Sequence, residues 1–153
     1  MIQPSSPNSL NFTWIIPNKL AGCAMPKNIS HLQEIFNNGI RCVVSLQEMP
    51  DSLGDLFEKA CLEWIRFPIE DFHVPADKTR FDELIHKIID HLNDNIPVCV
   101  HCKAGIGRTG MVLTCVVGKY YTMDTKTAIA LVRNHQEAIE TDEQLQFVMD
   151  YLG

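Results

Sequence analysis

The sequence predicts an α/β domain, with a central, mostly parallel sheet of about 4–5 strands flanked by helices. Three observations predict it. Short β-branched apolar runs alternate with segments of helical spacing over most of the chain. The chain then closes on successive helical segments with no further strand. Between these parts, the apolar run Ile96-Pro97-Val98-Cys99-Val100 leads through a glycine-rich loop into a second apolar run, Met111 to Tyr121. That is the pattern of a buried strand feeding a buried helix. A chain of 153 residues suits a single core. The domain is taken as residues 11–153, behind a Pro-, Ser- and Asn-rich segment, residues 1–10, expected to be a flexible tail.

In order, Asn11 to Ile16 reads as a first strand stopped by Pro17-Asn18, and Lys19 to Gly22 as a short partner strand. Asn28 or Ser30 caps a helix to about Asn38, Ser30 and Gln33 having capping-box spacing, and Gly39 ends it. Ile40 to Leu46 is a buried strand rich in β-branched residues. A short helix over about 52–61 follows the Pro50-Asp51 loop, and Glu63 to Phe67 alternates as a strand. Pro68 to Pro75 is a loop bounded by prolines. Asp77 caps a helix to about Asn93 whose apolar face is Phe81, Leu84, Ile85, Ile88, Ile89 and Leu92. After the central strand and loop come helices from Arg108 to Tyr121, from Asp124 with Ala128, Ile129, Leu131 and Val132, and from Thr141 with Leu145, Phe147, Val148 and Leu152.

Composition narrows the function. Net charge is −6, which argues against broad binding to nucleic acid or anionic membranes. An anionic substrate would have to be attracted locally. No apolar run reaches the roughly 18 residues that span a bilayer. The first residues lack a basic-then-apolar signal, so an intracellular, cytoplasmic or nuclear location is expected. The six cysteines lack zinc spacing and read as reduced. No metal or cofactor is expected.

The loop His101-Cys102-Lys103-Ala104-Gly105-Ile106-Gly107-Arg108-Thr109-Gly110 carries the chemistry. Its glycines and the following helix N-terminus turn backbone N–H groups toward one point, which favours a phosphate. Three motifs overlap there. Gly105 to Gly110 matches G-x-G-x-x-G, but a dinucleotide fold needs a second parallel strand after the helix, and further helices come instead. A nucleotide P-loop fails because Met111 stands where lysine is required. Cys99-Val100-His101-Cys102 is a C-x-x-C, with Cys99 read as a buried strand residue or as a thiol that captures an oxidised Cys102. The third motif is Cys102, five residues, then Arg108 with Thr109. The N–H cradle and Arg108 favour a thiolate nucleophile. Arg108 grips two phosphoryl oxygens through its planar fork. Thr109 donates to the sulfur.

This segment resembles the signature of cysteine-based protein tyrosine and dual-specificity phosphatases. Nearly all of residues 11–153 resembles the small atypical dual-specificity type typified by VHZ. Asn11-Phe12-Thr13-Trp14, Leu20-Ala21-Gly22, Val44-Ser45-Leu46, Asp71-Phe72 with Pro75, and Ile139-Glu140-Thr141 with Glu143-Gln144 carry that resemblance. It implies metal-independent phosphomonoester hydrolysis through a phosphocysteine. Cys102 would be the nucleophile and Asp71 the general acid, with Glu70 its nearest rival. Gln144 would orient water or serve only the Thr141 capping box. His101 would order the loop. Lys103, Ala104, Gly105, Ile106, Gly107 and Arg108 would form the phosphate-binding loop, with Lys103 adding charge at its mouth or standing in solvent. The expected partner is a phosphoprotein bearing phosphotyrosine, with phosphoserine and phosphothreonine next, met by a monomer. Phosphoinositides, the 5′-triphosphate of RNA, and a phosphate-binding module without turnover are the alternatives.

Overall fold

A computed structural model describes residues 10–153. β1 (Thr13–Ile16) and β2 (Leu20–Cys23) precede α1 (Ile29–Asn37), β3 (Cys42–Ser45), α2 (Leu53–Lys59) and β4 (Glu63–Arg66). Then come α3 (Lys78–Asn93), β5 (Val98–His101), α4 (Gly107–Tyr121), α5 (Thr125–Arg133) and α6 (Asp142–Leu152). The five-stranded sheet has the order β1-β2-β5-β3-β4. β1 and β2 pair antiparallel, and the remaining neighbours pair parallel. β5 lies at the centre with all four residues buried. Parallel pairing aligns the carboxyl ends of β2, β3, β4 and β5, so Cys23, Ser45, Arg66 and His101 share one edge. In open sheets of this kind that edge is where ligands bind.

Helices cover both faces. Leu32 and Ile35 of α1 and Phe57 of α2 pack with Ala21, Val43 and Cys99 on one side. On the other, α3, α4 and α6 pack against Leu20, Val44, Val98 and Val100. α4 is buried from Gly107 to Gly118, which explains why its sequence is apolar on every side. Phe81 of α3 meets Phe147 and Tyr151 of α6 edge-on, with centroids 4.9 and 5.2 Å apart. This fixes α6 beside the loop that precedes α4. Among the described residues no helix is long and apolar enough to cross a membrane.

One detail settles an open choice of the sequence reading and another corrects it. Asn28, not Ser30, caps α1: its side chain accepts from His31 N at 2.9 Å, and Ser30 lies inside the helix. Leu10, assigned to the tail, is 1% exposed, and its carbonyl accepts from Ala24 N at 2.7 Å. The rest of that tail lies outside the described residues.

Gly110 allows α4 to pass the chain before α6, because a Cβ there would lie 2.4 Å from Ala138 Cβ and 2.6 Å from its Cα. Gly110→Ala should lower stability by about 1–3 kcal/mol in urea unfolding. Asn28→Ala should cost about 1 kcal/mol and Ser30→Ala close to none. The reverse ranking of the two cap variants would contradict the cap assignment.

Candidate active site

The loop between β5 and α4 begins at a buried cysteine. Cys102 is 3% exposed, and Thr109 Oγ1, on the first turn of α4, donates to its sulfur at 3.0 Å. Three carbonyls of the loop are tied to groups outside it. Cys102 O meets His101 Nδ1 at 3.1 Å, Lys103 O accepts from Met25 N at 3.2 Å, and Gly105 O accepts from Gln136 Nε2 at 2.8 Å. No peptide bond described is cis. In a trans peptide the carbonyl and the next N–H point oppositely. The N–H groups of Lys103, Ala104 and Ile106 are thereby turned away from those anchors, forming a concave set of donors suited to an anion. Gly105 makes this turn with φ +82°, and a Cβ there would stand 2.7 Å from Cys23 O. Lys103 itself is exposed.

The hydrogen bonds behind the loop have one polarity. An indole N–H only donates, and Trp64 Nε1 lies 2.8 Å from Ser45 Oγ. The Ser45 hydroxyl hydrogen is then left for His101 Nε2, 2.5 Å away. His101 Nδ1 carries the ring proton and donates it to the Cys102 carbonyl. The imidazole is neutral: burial above all, and the Arg108 charge with it, pushes His101 down to about 4, against the pull of its bond to Cys102 O.

Arg108 is 5% exposed. Its Nη1 donates to Ile69 O at 2.9 Å, and its Nη2 lies 3.3 Å from Asp71 Oδ1. Its Nε is buried without a partner. Burying a guanidinium N–H unpaired is costly, which leaves this donor available to an anion. Asp71, half-exposed, is the carboxylate paired with Arg108; its Oδ1 also accepts from Phe72 N at 3.0 Å. The neighbouring Glu70 lines a cavity of about 450 Å³ with Phe67, Val74, Arg80 and Glu143.

Gln144 is fully buried and joins three parts of the site. Its N–H donates to Thr141 Oγ1 at 3.1 Å, its Oε1 accepts from Glu140 N at 2.8 Å, and its Nε2 donates to His73 O at 3.4 Å. The cap at Thr141 is therefore real, but the reciprocal bond falls on Glu140 N, one residue earlier than a capping box would place it. A Cβ on Gly107 would lie 3.1 Å from Gln144 Oε1, so the amide rests against the loop. Exposed His73 is raised, first by its bond to the Asp71 carbonyl and then by Glu70.

Cys99 does not face Cys102. It packs on the opposite side of the sheet, with its sulfur 3.4 Å from that of Cys23, and burial pushes its thiol up. Its reading as a partner for an oxidised Cys102 has no support in this geometry. The sequence did not single out Met25, Ser45, Trp64 or Gln136 for the loop. Apart from Ser45, which stood in a resembling segment, no local pattern marked them.

Comparison with known proteins places the fold and the family. The family model of the Swiss Army Knife protein, DSP-PTPase phosphatase domain, matches residues 9–150. The dual specificity protein phosphatase CDC14B of Mus musculus is 23% identical over 154 residues, covering 91% of this chain and 30% of that protein. The chain thus spans less than a third of that relative's length. The crystal structure of Tk-PTP in the active form is 29% identical, with a TM-score of 0.82 over 93% of this chain and 95% of that one. The kinase associated phosphatase, with its catalytic cysteine substituted by serine, shares the fold at a TM-score of 0.80 and 19% identity, over 97% of this chain and 96% of that one.

The neutral His101 has a measurable consequence. An unfolded histidine titrates near 6.5, and the folded one is pushed down to about 4. Between those values the unfolded chain binds the extra proton, so this stability is full above pH 6.5 and is lost as the pH falls toward 4. Between about pH 7 and pH 4 the protein should lose of order 3 kcal/mol more than His101→Asn does. Parallel losses in denaturant titrations would contradict a neutral ring.

Proposed function

The chain belongs to the DSP-PTPase family of phosphatase domains, and on that premise we propose that it hydrolyses phosphomonoesters through a phosphocysteine on Cys102. The observation that carries the proposal is one juxtaposition. A buried sulfur held by Thr109, a guanidinium with an unpaired buried Nε, and the Asp71 carboxylate converge on the same anion cradle.

In the first step the Cys102 thiolate attacks phosphorus. The bond to the leaving oxygen breaks, and protonated Asp71 gives its proton to that oxygen. Arg108 and the loop N–H groups hold the equatorial oxygens as charge redistributes, without having to reorient. In the second step the Asp71 carboxylate takes a proton from water as the water attacks phosphorus. The S–P bond breaks, inorganic phosphate leaves and the thiolate is restored. The second N–H of Gln144 Nε2 is the group offered to this water. No metal takes part.

The surroundings of the site support one substrate class over others. Glu70, Glu140 and Glu143 are exposed around the site, and Lys103 is the one basic side chain of the loop besides Arg108. An acidic rim repels a substrate carrying several phosphates. It supports a single phosphoryl group on a protein side chain, phosphotyrosine first and phosphoserine or phosphothreonine second, over a phosphoinositide or a 5′-triphosphate.

An aryl phosphate should be hydrolysed in the presence of a chelator, and Cys102→Ser should abolish the release of phosphate. Equal turnover by that variant would overturn the mechanism. Asp71→Ala should lose about 10²–10⁴ in rate with poor, alkyl-like leaving groups and much less with good ones. An equal loss on both would transfer the role to Glu70. A phosphotyrosyl peptide should outpace inositol phospholipids and 5′-triphosphorylated RNA, and the opposite order would overturn the substrate assignment.

A further inference from the structure

A second cluster lies at the other end of the sheet, independent of the phosphatase reading. Cys42 and Glu63 open β3 and β4 and stand opposite each other in register. His91 comes from the last turn of α3. Sγ of Cys42, a carboxylate oxygen of Glu63 and a ring nitrogen of His91 all lie within 4.8 Å of one another. The Cys42 side chain is fully buried and makes no hydrogen bond among the described residues. Burial, with the Glu63 charge second, pushes its thiol up to about 12.

The histidine adds an independent sign. Its Nδ1 is 2.9 Å from Lys87 O, so that nitrogen carries a proton and donates it. In a neutral ring Nε2 then presents a lone pair, and Nε2 faces Glu63 Oε1 at 2.9 Å. Two acceptors at that distance need a proton or a metal cation between them. A far ring nitrogen donating to a backbone carbonyl is also how metal-binding histidines are oriented.

We propose that Cys42, Glu63 and His91 form a binding site for a divalent transition metal, zinc first. A thiolate, an imidazole and a carboxylate are a donor set that zinc accepts at bond lengths of about 2.0–2.3 Å. Reaching them requires the three groups to draw together by about 1 Å. Half-exposed Glu63 leaves an open side for entry and for a water as fourth ligand. Exposed Lys87, the one cation acting on Cys42, has room to turn away. On binding, Cys42 forms an S–metal bond and releases its thiol proton to solvent. Any proton shared between His91 Nε2 and Glu63 leaves with it. Such a site would clamp α3 to β3 and β4, far from the loop.

The test is cobalt titration of the chelator-treated full chain carrying Cys102→Ser, which removes the loop thiol as a competitor. A thiolate-to-cobalt charge-transfer band should rise in the near ultraviolet, saturate at one equivalent and vanish on addition of zinc. Cys42→Ser should abolish it, Cys61→Ser should leave it, and His91→Gln should weaken binding by about tenfold or more. If Cys42→Ser does not fold, His91→Gln, at a partly exposed residue, decides. Absence of the band, its survival in Cys42→Ser, or no effect of His91→Gln would overturn the proposal in favour of a plain imidazolium–carboxylate pair.

Discussion

The site depends on where the backbone carbonyls of one loop are fastened. A buried loop must find partners for both its donors and its acceptors. Here the acceptors of Cys102, Lys103 and Gly105 are taken by His101, Met25 and Gln136. The N–H groups are what remains for an anion. The three anchors come from β5, from the segment after β2, and from the segment between α5 and α6. The sheet order that places β5 between β2 and β3 therefore also builds the cradle. The line from Trp64 through Ser45 to His101 extends the anchoring into the edge strand β4.

A second constraint positions Asp71, the proposed acid. Asp71 sits on a loop without regular structure, yet both flanks of that loop are tied down. Ile69 O receives Arg108 Nη1, and His73 O receives Gln144 Nε2. The aromatic contacts of Phe81 with Phe147 and Tyr151 hold α6, which carries Gln144. Core packing on one face of the sheet thus reaches the chemistry through two hydrogen bonds to backbone carbonyls. Rigid support of this kind lets an electrostatic site act without reorganising.

Much of this was legible in the sequence, for identifiable reasons. The strands showed because central parallel strands are apolar on both faces, as Cys42-Val43-Val44 and Val98-Cys99-Val100 are. The loop showed because its groups are contiguous: Cys102, Arg108 and Thr109 lie within one turn and one helix start. Asp71 showed through the resemblance alone, and geometry now sets it apart from Glu70 by its contact with Arg108. Gln136 and Met25 did not show, because they act on carbonyls far away in sequence and one of them uses only its backbone. The alternation that points Cys99 away from Cys102 was implicit in the strand, but the C-x-x-C spacing drew attention instead. The helix cap went to Asn28 over Ser30 because the helix starts two residues earlier than the capping-box pattern required.

The central claim is that Cys102 forms the covalent bond to phosphorus, and trapping that bond tests it most directly. During turnover of an aryl phosphate, rapid acid quenching followed by peptide mass analysis should find one phosphoryl group on the peptide carrying Cys102. The label should disappear on continued incubation after substrate is exhausted. A phosphoryl group on another residue, or turnover with no labelled cysteine, would contradict the account.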